Sequence, residues 1–129
     1  MAGTPRDTKV WQEAVGLAAD IIRVVRRTTR RETKAFTDAL MLTSSAAASA
    51  IAEAPTRPTP AEERECYARA RRALVTVETQ LAIARVSGII PTSVHAQLAS
   101  RVASLSQRVS SSLNHVEHHT DPLPMLADT

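Results

Sequence analysis

The chain has 129 residues, 43% of them apolar and 22% charged, with a formal charge of +3. That is the length of one domain, with an apolar content that supports a folded core. Aromatic residues make up only 2% (Trp11, Phe36 and Tyr67) and glycine occurs three times. These counts argue against strand-rich sandwiches and barrels, and against a single-strand nucleic-acid binder built on stacking platforms. The cations are almost all arginine, which admits a polyanionic partner without requiring one. The lone Cys66 excludes an internal disulfide and a cysteine-rich zinc site, and fits a reducing compartment. With no long apolar run and no apolar leader near the start, a cytoplasmic protein without a membrane span is expected.

Proline cuts the chain into stretches 6–54, 61–90 and 92–121, because proline is excluded from helix interiors. Alanine is abundant, and it is the best helix former. Helix 1 is expected near 8–27. It carries Trp11, Val15, Ala18, Ile22 and Val25 as a seam, with a second line of Val10, Ala14, Leu17, Ile21 and Val24 beside it. Together they make a stripe wider than one neighbour would bury. The Val10 line is therefore expected to meet another subunit. Helix 2 is expected near 30–54, opened by a capping box of Thr29 and Glu32. Phe36, Leu40, Ala47, Ala50 and Ile51 form its seam, and its alanines let a neighbouring backbone come close.

Helix 3, near 60–87, has three agreeing start signals: Thr59 as N-cap, Pro60 at the first position and Glu62 at the third. Its seam is Tyr67, Ala70, Leu74, Val77, Leu81 and Ala84, and Gly88 sits where a terminating glycine belongs. Arg64, Arg71, Glu78 and Arg85 recur every seven residues beside that seam. Arg71 and Glu78 are thus expected at an interface, with Glu78 pairing with Arg71, Arg85 or an arginine on another helix or subunit. Helix 4, near 93–118, presents Val94, Leu98, Val102, Leu105, Val109, Leu113 and Val116. The short connections imply an all-α, antiparallel up-down-up-down four-helix bundle over residues 1–119. The remainder, 120–129, is expected to be a flexible tail. Its Leu123, Met125 and Leu126 offer the alternative of docking on a neighbouring subunit.

Three short motifs in order point to a family. Val10-Trp11-Gln12-Glu13-Ala14, Ile51-Ala52-Glu53, and Glu78-Thr79-Gln80-Leu81 followed by Gly88-Ile89-Ile90 resemble, across residues 8–118, a family of bacterial four-helix bundle proteins. That family is encoded in intervening sequences of large-subunit ribosomal RNA genes. It is related to the accessory variability protein of diversity-generating retroelements. The resemblance implies a bundle that assembles as a homopentamer. It also implies an accessory role with RNA or DNA, in the retroelement branch beside a reverse transcriptase. At Met41-Leu42, Ala50 and Ala54 this chain departs from the family's usual basic pair, asparagine and glycine.

The residues themselves offer three sites to weigh. Arg23, Arg26, Arg27, Arg30, Arg31 and Lys34 close helix 1 and open helix 2, and Arg85 ends helix 3 at the same end of the bundle. Guanidinium forks pair with phosphates, so this row suits a nucleic-acid backbone without reading its sequence. A solvated helix terminus is the plain alternative, since the dipole already favours cations at the end of helix 1. Arg30 and Arg31, at a helix start, gain nothing from that dipole and are the more suggestive pair. Glu78 lacks a polar partner for acid–base chemistry and reads as structural. His115, His118 and His119 in NHVEHH place two histidines four apart, but without the HExxH glutamate and at a helix end they read as solvated. No nucleophile elbow, P-loop or dinucleotide fingerprint is present. The expected function is thus non-enzymatic and free of cofactor and metal. It is either nucleic-acid binding through the arginine end, or protein scaffolding without a nucleic-acid ligand.

Overall fold

The computed structural model describes residues 8–119, and their side chains as far as Val116. The expected tail, with Leu123, Met125 and Leu126, lies outside the described residues, as do the side chains of His118 and His119. Four helices follow one another: α1 Lys9–Thr28, α2 Lys34–Glu53, α3 Pro60–Val86 and α4 Thr92–His119. Single 3-10 turns, Arg31–Thr33 and Ala54–Thr56, flank α2. No strand occurs among the described residues. Each helix packs on its two neighbours in the order α1–α2–α3–α4, and α4 returns to α1. The chain is an all-α four-helix bundle.

The ends of the helices follow from local chemistry. Thr8 caps α1 by accepting the Trp11 N–H at 3.2 Å, and Thr59 caps α3 by accepting the Glu62 N–H at 3.2 Å. At the end of α3, Gly88 takes φ +84°, a conformation that side chains disfavour. Its N–H donates to the Arg85 carbonyl, and the Ile89 N–H donates to that of Ala84, which satisfies two otherwise orphaned acceptors. The α1–α2 corner departs from the expected capping box. Thr29 does not cap α2: its hydroxyl turns inward, 2.6 Å from the Val25 carbonyl and 2.9 Å from the hydroxyl of buried Thr37. Instead Thr33 accepts the Arg30 N–H at 3.1 Å across the 3-10 turn. A buried hydroxyl pair that joins two helices thus replaces a cap at one of them.

A single core runs between the helices. Ile21, Leu40, Ile51, Leu74, Leu81 and Val109 are among its most enclosed members. Full burial of such a side chain is worth roughly 1.5–3 kcal/mol. Between α2 and α3, the most extensive helix pairing in the bundle, the buried positions include Ala47, Ala50, Ala54, Ala70 and Ala84. Small side chains there let the two backbones approach. Tyr67 is buried with its hydroxyl hydrogen-bonded to Ser112 of α4, and burial pushes its pKa up.

Helix α1 sits differently from the expected arrangement. Ala14, Leu17 and Ile21 of the Val10 line are 2%, 3% and 0% exposed within the single chain. Val10 and Val24 pack half-buried against the same core. That line is the chain's own core stripe and leaves little surface for another subunit. The other line turns outward at Val15, which is exposed, while Ala18 and Val25 stay buried. Residues Arg31–Thr56, through α2, are long and apolar enough to cross a membrane, with 39% of the most apolar window buried in the bundle. Within the bundle, α2 seats Leu40, Ala47 and Ile51 in the core and leaves Leu42 outside.

Candidate nucleic-acid interface

The up-down order brings the end of α1, the start of α2, the end of α3 and the start of α4 to one end of the bundle. The sequence-predicted cations lie along those segments. Arg23, Arg26 and Arg27 are exposed on the last two turns of α1, Arg30 and Arg31 on the corner, Lys34 at the first position of α2, and Arg85 near the end of α3. Two of them are held by carboxylates of their own helix, Arg23 by Asp20 and Lys34 by Asp38 at 2.7 Å. Arg26, Arg27, Arg30, Arg31 and Arg85 form no ion pair among the described residues. The end is therefore a set of unneutralised guanidiniums on exposed backbone corners, with Glu32 as the acid among them. Such a set attracts phosphate by charge and fork geometry alone.

Arg71 and Glu78 are exposed and pair neither with each other nor with another helix among the described residues. Ion pairs on α3 include Arg69 with Glu53 at 3.0 Å and Arg72 with Glu65 at 2.8 Å. Between Arg71 and Arg85, the outer face of α3 exposes Val75 and Ile83, and Val86 follows them. His115 is exposed near the end of α4, and no group of metal-ligating side chains gathers among the described residues.

A feature not anticipated from sequence is the seam between α1 and α4, the sparsest of the four helix pairings. Two ion pairs cross it: Arg101 with Asp20 at 2.7 Å and Arg108 with Glu13 at 3.0 Å. The hydrogen bond from Arg101 is the main reason that the Asp20 carboxyl titrates below the usual carboxylate range. Arg23 adds to it, and partial burial opposes it. Two clefts open beside these pairs. One cleft of about 430 Å³ lies beside Glu13, Gly16 and Ser104, and a second of about 800 Å³ beside Arg23, Arg27 and Gln97. Arg101 lines both. The signal for this seam was in the sequence. Glu13 and Asp20 are seven apart, Arg101 and Arg108 are seven apart, and antiparallel helices align the two pairs.

The model of one protein family, described as 23S rRNA-intervening sequence protein, matches residues 6–111. The chain belongs to that family. No curated protein and no solved structure matches the chain.

Proposed function

We propose that this member of the 23S rRNA-intervening sequence protein family is a non-enzymatic, self-associating accessory protein that binds RNA through its arginine-rich bundle end. The observation that carries the reading is the exposed group Arg26, Arg27, Arg30, Arg31 and Arg85, which has no ion pair among the described residues. The family's name, with its reference to ribosomal RNA, agrees with an RNA partner. Such guanidiniums engage phosphates, so the binding is salt-sensitive and shows little base preference. DNA competes to the extent that its backbone presents the same charges.

A mobility-shift titration across a salt series tests this. Wild-type affinity falls steeply with salt. Replacing Arg26, Arg27, Arg30 and Arg31 together by alanine flattens the log–log slope by roughly 0.7–0.9 for each phosphate that is no longer neutralised. Unchanged affinity and slope overturn the reading.

Self-association, as the homopentamer that the family resemblance implies, is part of the same proposal. Its surface is not the Val10 line. Among the described residues, Leu42 on α2 and Val75, Ile83 and Val86 on α3 are the large apolar side chains left most exposed, at 71%, 58%, 48% and 75%. Light scattering at micromolar concentration gives a multiple of 13.9 kDa if this holds, and a monomer if it fails. The same apolar surface favours one alternative, a cytoplasmic protein-interaction scaffold with no nucleic-acid ligand. A reverse transcriptase is a partner for either reading, and salt-dependent RNA binding separates the two.

A further inference from the structure

We propose that the larger α1–α4 cleft is a nucleotide site, with the phosphate held by Arg23, Arg27 and Arg101 and the nucleoside resting on Val24, Val94 and Leu98. The inference deepens the RNA reading and rests on it for one of two ligand sources, an unpaired nucleotide of RNA. The other source is a free nucleotide.

Four observations converge on this cleft. Its volume of about 800 Å³ falls within the range of small-molecule sites, roughly 300–1,000 Å³. Three guanidiniums from two helices line it, against the single carboxylate of Asp20. The remainder of the wall is divided between aliphatic side chains (Val24, Val94, Leu98) and hydrogen-bonding ones (Gln97, Ser100). That is the mixture a nucleotide needs: cations for the phosphate, an apolar floor for the base and polar groups for the base edge or sugar. Finally, Arg23 and Arg27 belong both to this cleft and to the arginine-rich bundle end.

Asp20 has a defined part in this arrangement. Its Oδ1 takes a hydrogen bond from Arg23 and its Oδ2 one from Arg101 at 2.7 Å. One carboxylate thus holds two forks toward the same space, while Arg27 adds a charge that no carboxylate neutralises among the described residues. The cleft keeps a surplus of positive charge, and each fork retains donors beyond the bond it makes to Asp20. The cleft contains no aromatic side chain. Base stacking is therefore absent, and affinity rests on the phosphate, so a nucleoside without phosphate binds far more weakly than its monophosphate.

The test titrates the full chain calorimetrically with adenosine 5′-monophosphate, adenosine, a short single-stranded RNA and a duplex RNA. Two variants accompany the wild type. Arg101→Gln removes one fork, and Val94→Glu places a carboxylate on the half-buried wall without touching an ion pair; thermal melts confirm that both fold. The expected result is that each variant weakens the monophosphate or the single strand by about tenfold or more and leaves the duplex unaffected. If duplex and single strand bind but neither variant alters any titration, the cleft proposal is overturned and the arginine-end reading stands. If no RNA binds while the monophosphate binds and both variants weaken it, the source is a free nucleotide and the RNA reading falls. If adenosine binds as tightly as its monophosphate, the assignment of the arginines to phosphate is refuted.

Discussion

Replacing Ile21 by alanine separates a core position from a subunit interface. Ile21 is 0% exposed within one chain, enclosed with Leu40, Leu74 and Leu81 in the same core. Truncation removes buried carbons and leaves a cavity, and such changes cost roughly 2–5 kcal/mol. Taking about 3 kcal/mol, and roughly 3–6 °C per kcal/mol for a domain of this size, the melting temperature falls by about 10–15 °C. In urea the midpoint drops by about 1–2 M at an ordinary slope. Val15→Ala is the matched control on the same helix. Val15 is 40% exposed, so its loss stays within about 1 kcal/mol. Concentration supplies the second axis. A core cavity destabilises equally at all protein concentrations, whereas a damaged interface destabilises most on dilution. An Ile21→Ala protein that melts like the wild type but has a smaller mass by light scattering would refute the placement of this line in the core.

Two further outcomes follow from the same geometry. The two glycines described respond to alanine with opposite signs. Gly16 lies inside α1, where an added Cβ meets nothing closer than the Arg101 Nη2 at 3.7 Å, so Gly16→Ala stabilises by about 0.5–1 kcal/mol. Gly88 has open space around its Cβ but φ +84°, so Gly88→Ala destabilises by about 1 kcal/mol through backbone strain alone. Urea midpoints that move in the same direction for both contradict this account. For Asp20, the folded-state pKa lies below the ordinary 3.8, so its contribution is full above that value and is lost as pH falls through the lowered one. The carboxylate is 39% exposed and water screens it, which limits the contribution to under about 1 kcal/mol. The gap in urea midpoint between wild type and Asp20→Asn is therefore present at pH 7 and closes in the acid range below about pH 4. A gap that does not change with pH goes against the Arg101 pairing.

The fold was legible because several weak signals agreed. Thr59, Pro60 and Glu62 open α3 together, and Gly88 closes it with the backbone conformation that glycine tolerates. Where a single signal stood alone, tertiary packing decided. Thr29 and Glu32 have capping-box spacing, yet the Thr29 hydroxyl turns back to the Val25 carbonyl at the end of α1 and to Thr37, so it closes α1 rather than opening α2. In α1, two apolar lines about 100° apart both read as core, and nothing in α1 alone tells which of them faces inward. That information lies in the other helices: Leu17 and Ile21 are enclosed in one core with Leu40, Leu74 and Leu105, and Val15 is left outside. The arginine end was legible because its cations are close together in sequence. The cleft was not, because its two walls are far apart in the chain.

Composition connects these outcomes. With so few aromatic residues, the bundle fills its core with Ala, Val, Leu and Ile, and each interhelical distance is set by the side chains on that seam. Between α2 and α3 the buried alanines bring the backbones together. Between α1 and α4 the opposed groups include the long arginines Arg101 and Arg108, which reach Asp20 and Glu13 from the far wall. A seam bridged by extended side chains is wider than one closed by methyl groups, and the space left beside each bridge is the pair of clefts. Hence the sparsest seam is also the one that carries charge into a concave surface. Arg101, which bridges the two helices by its bond to Asp20, stands at the junction of both clefts, so a group that spans this seam is also one available to a phosphate.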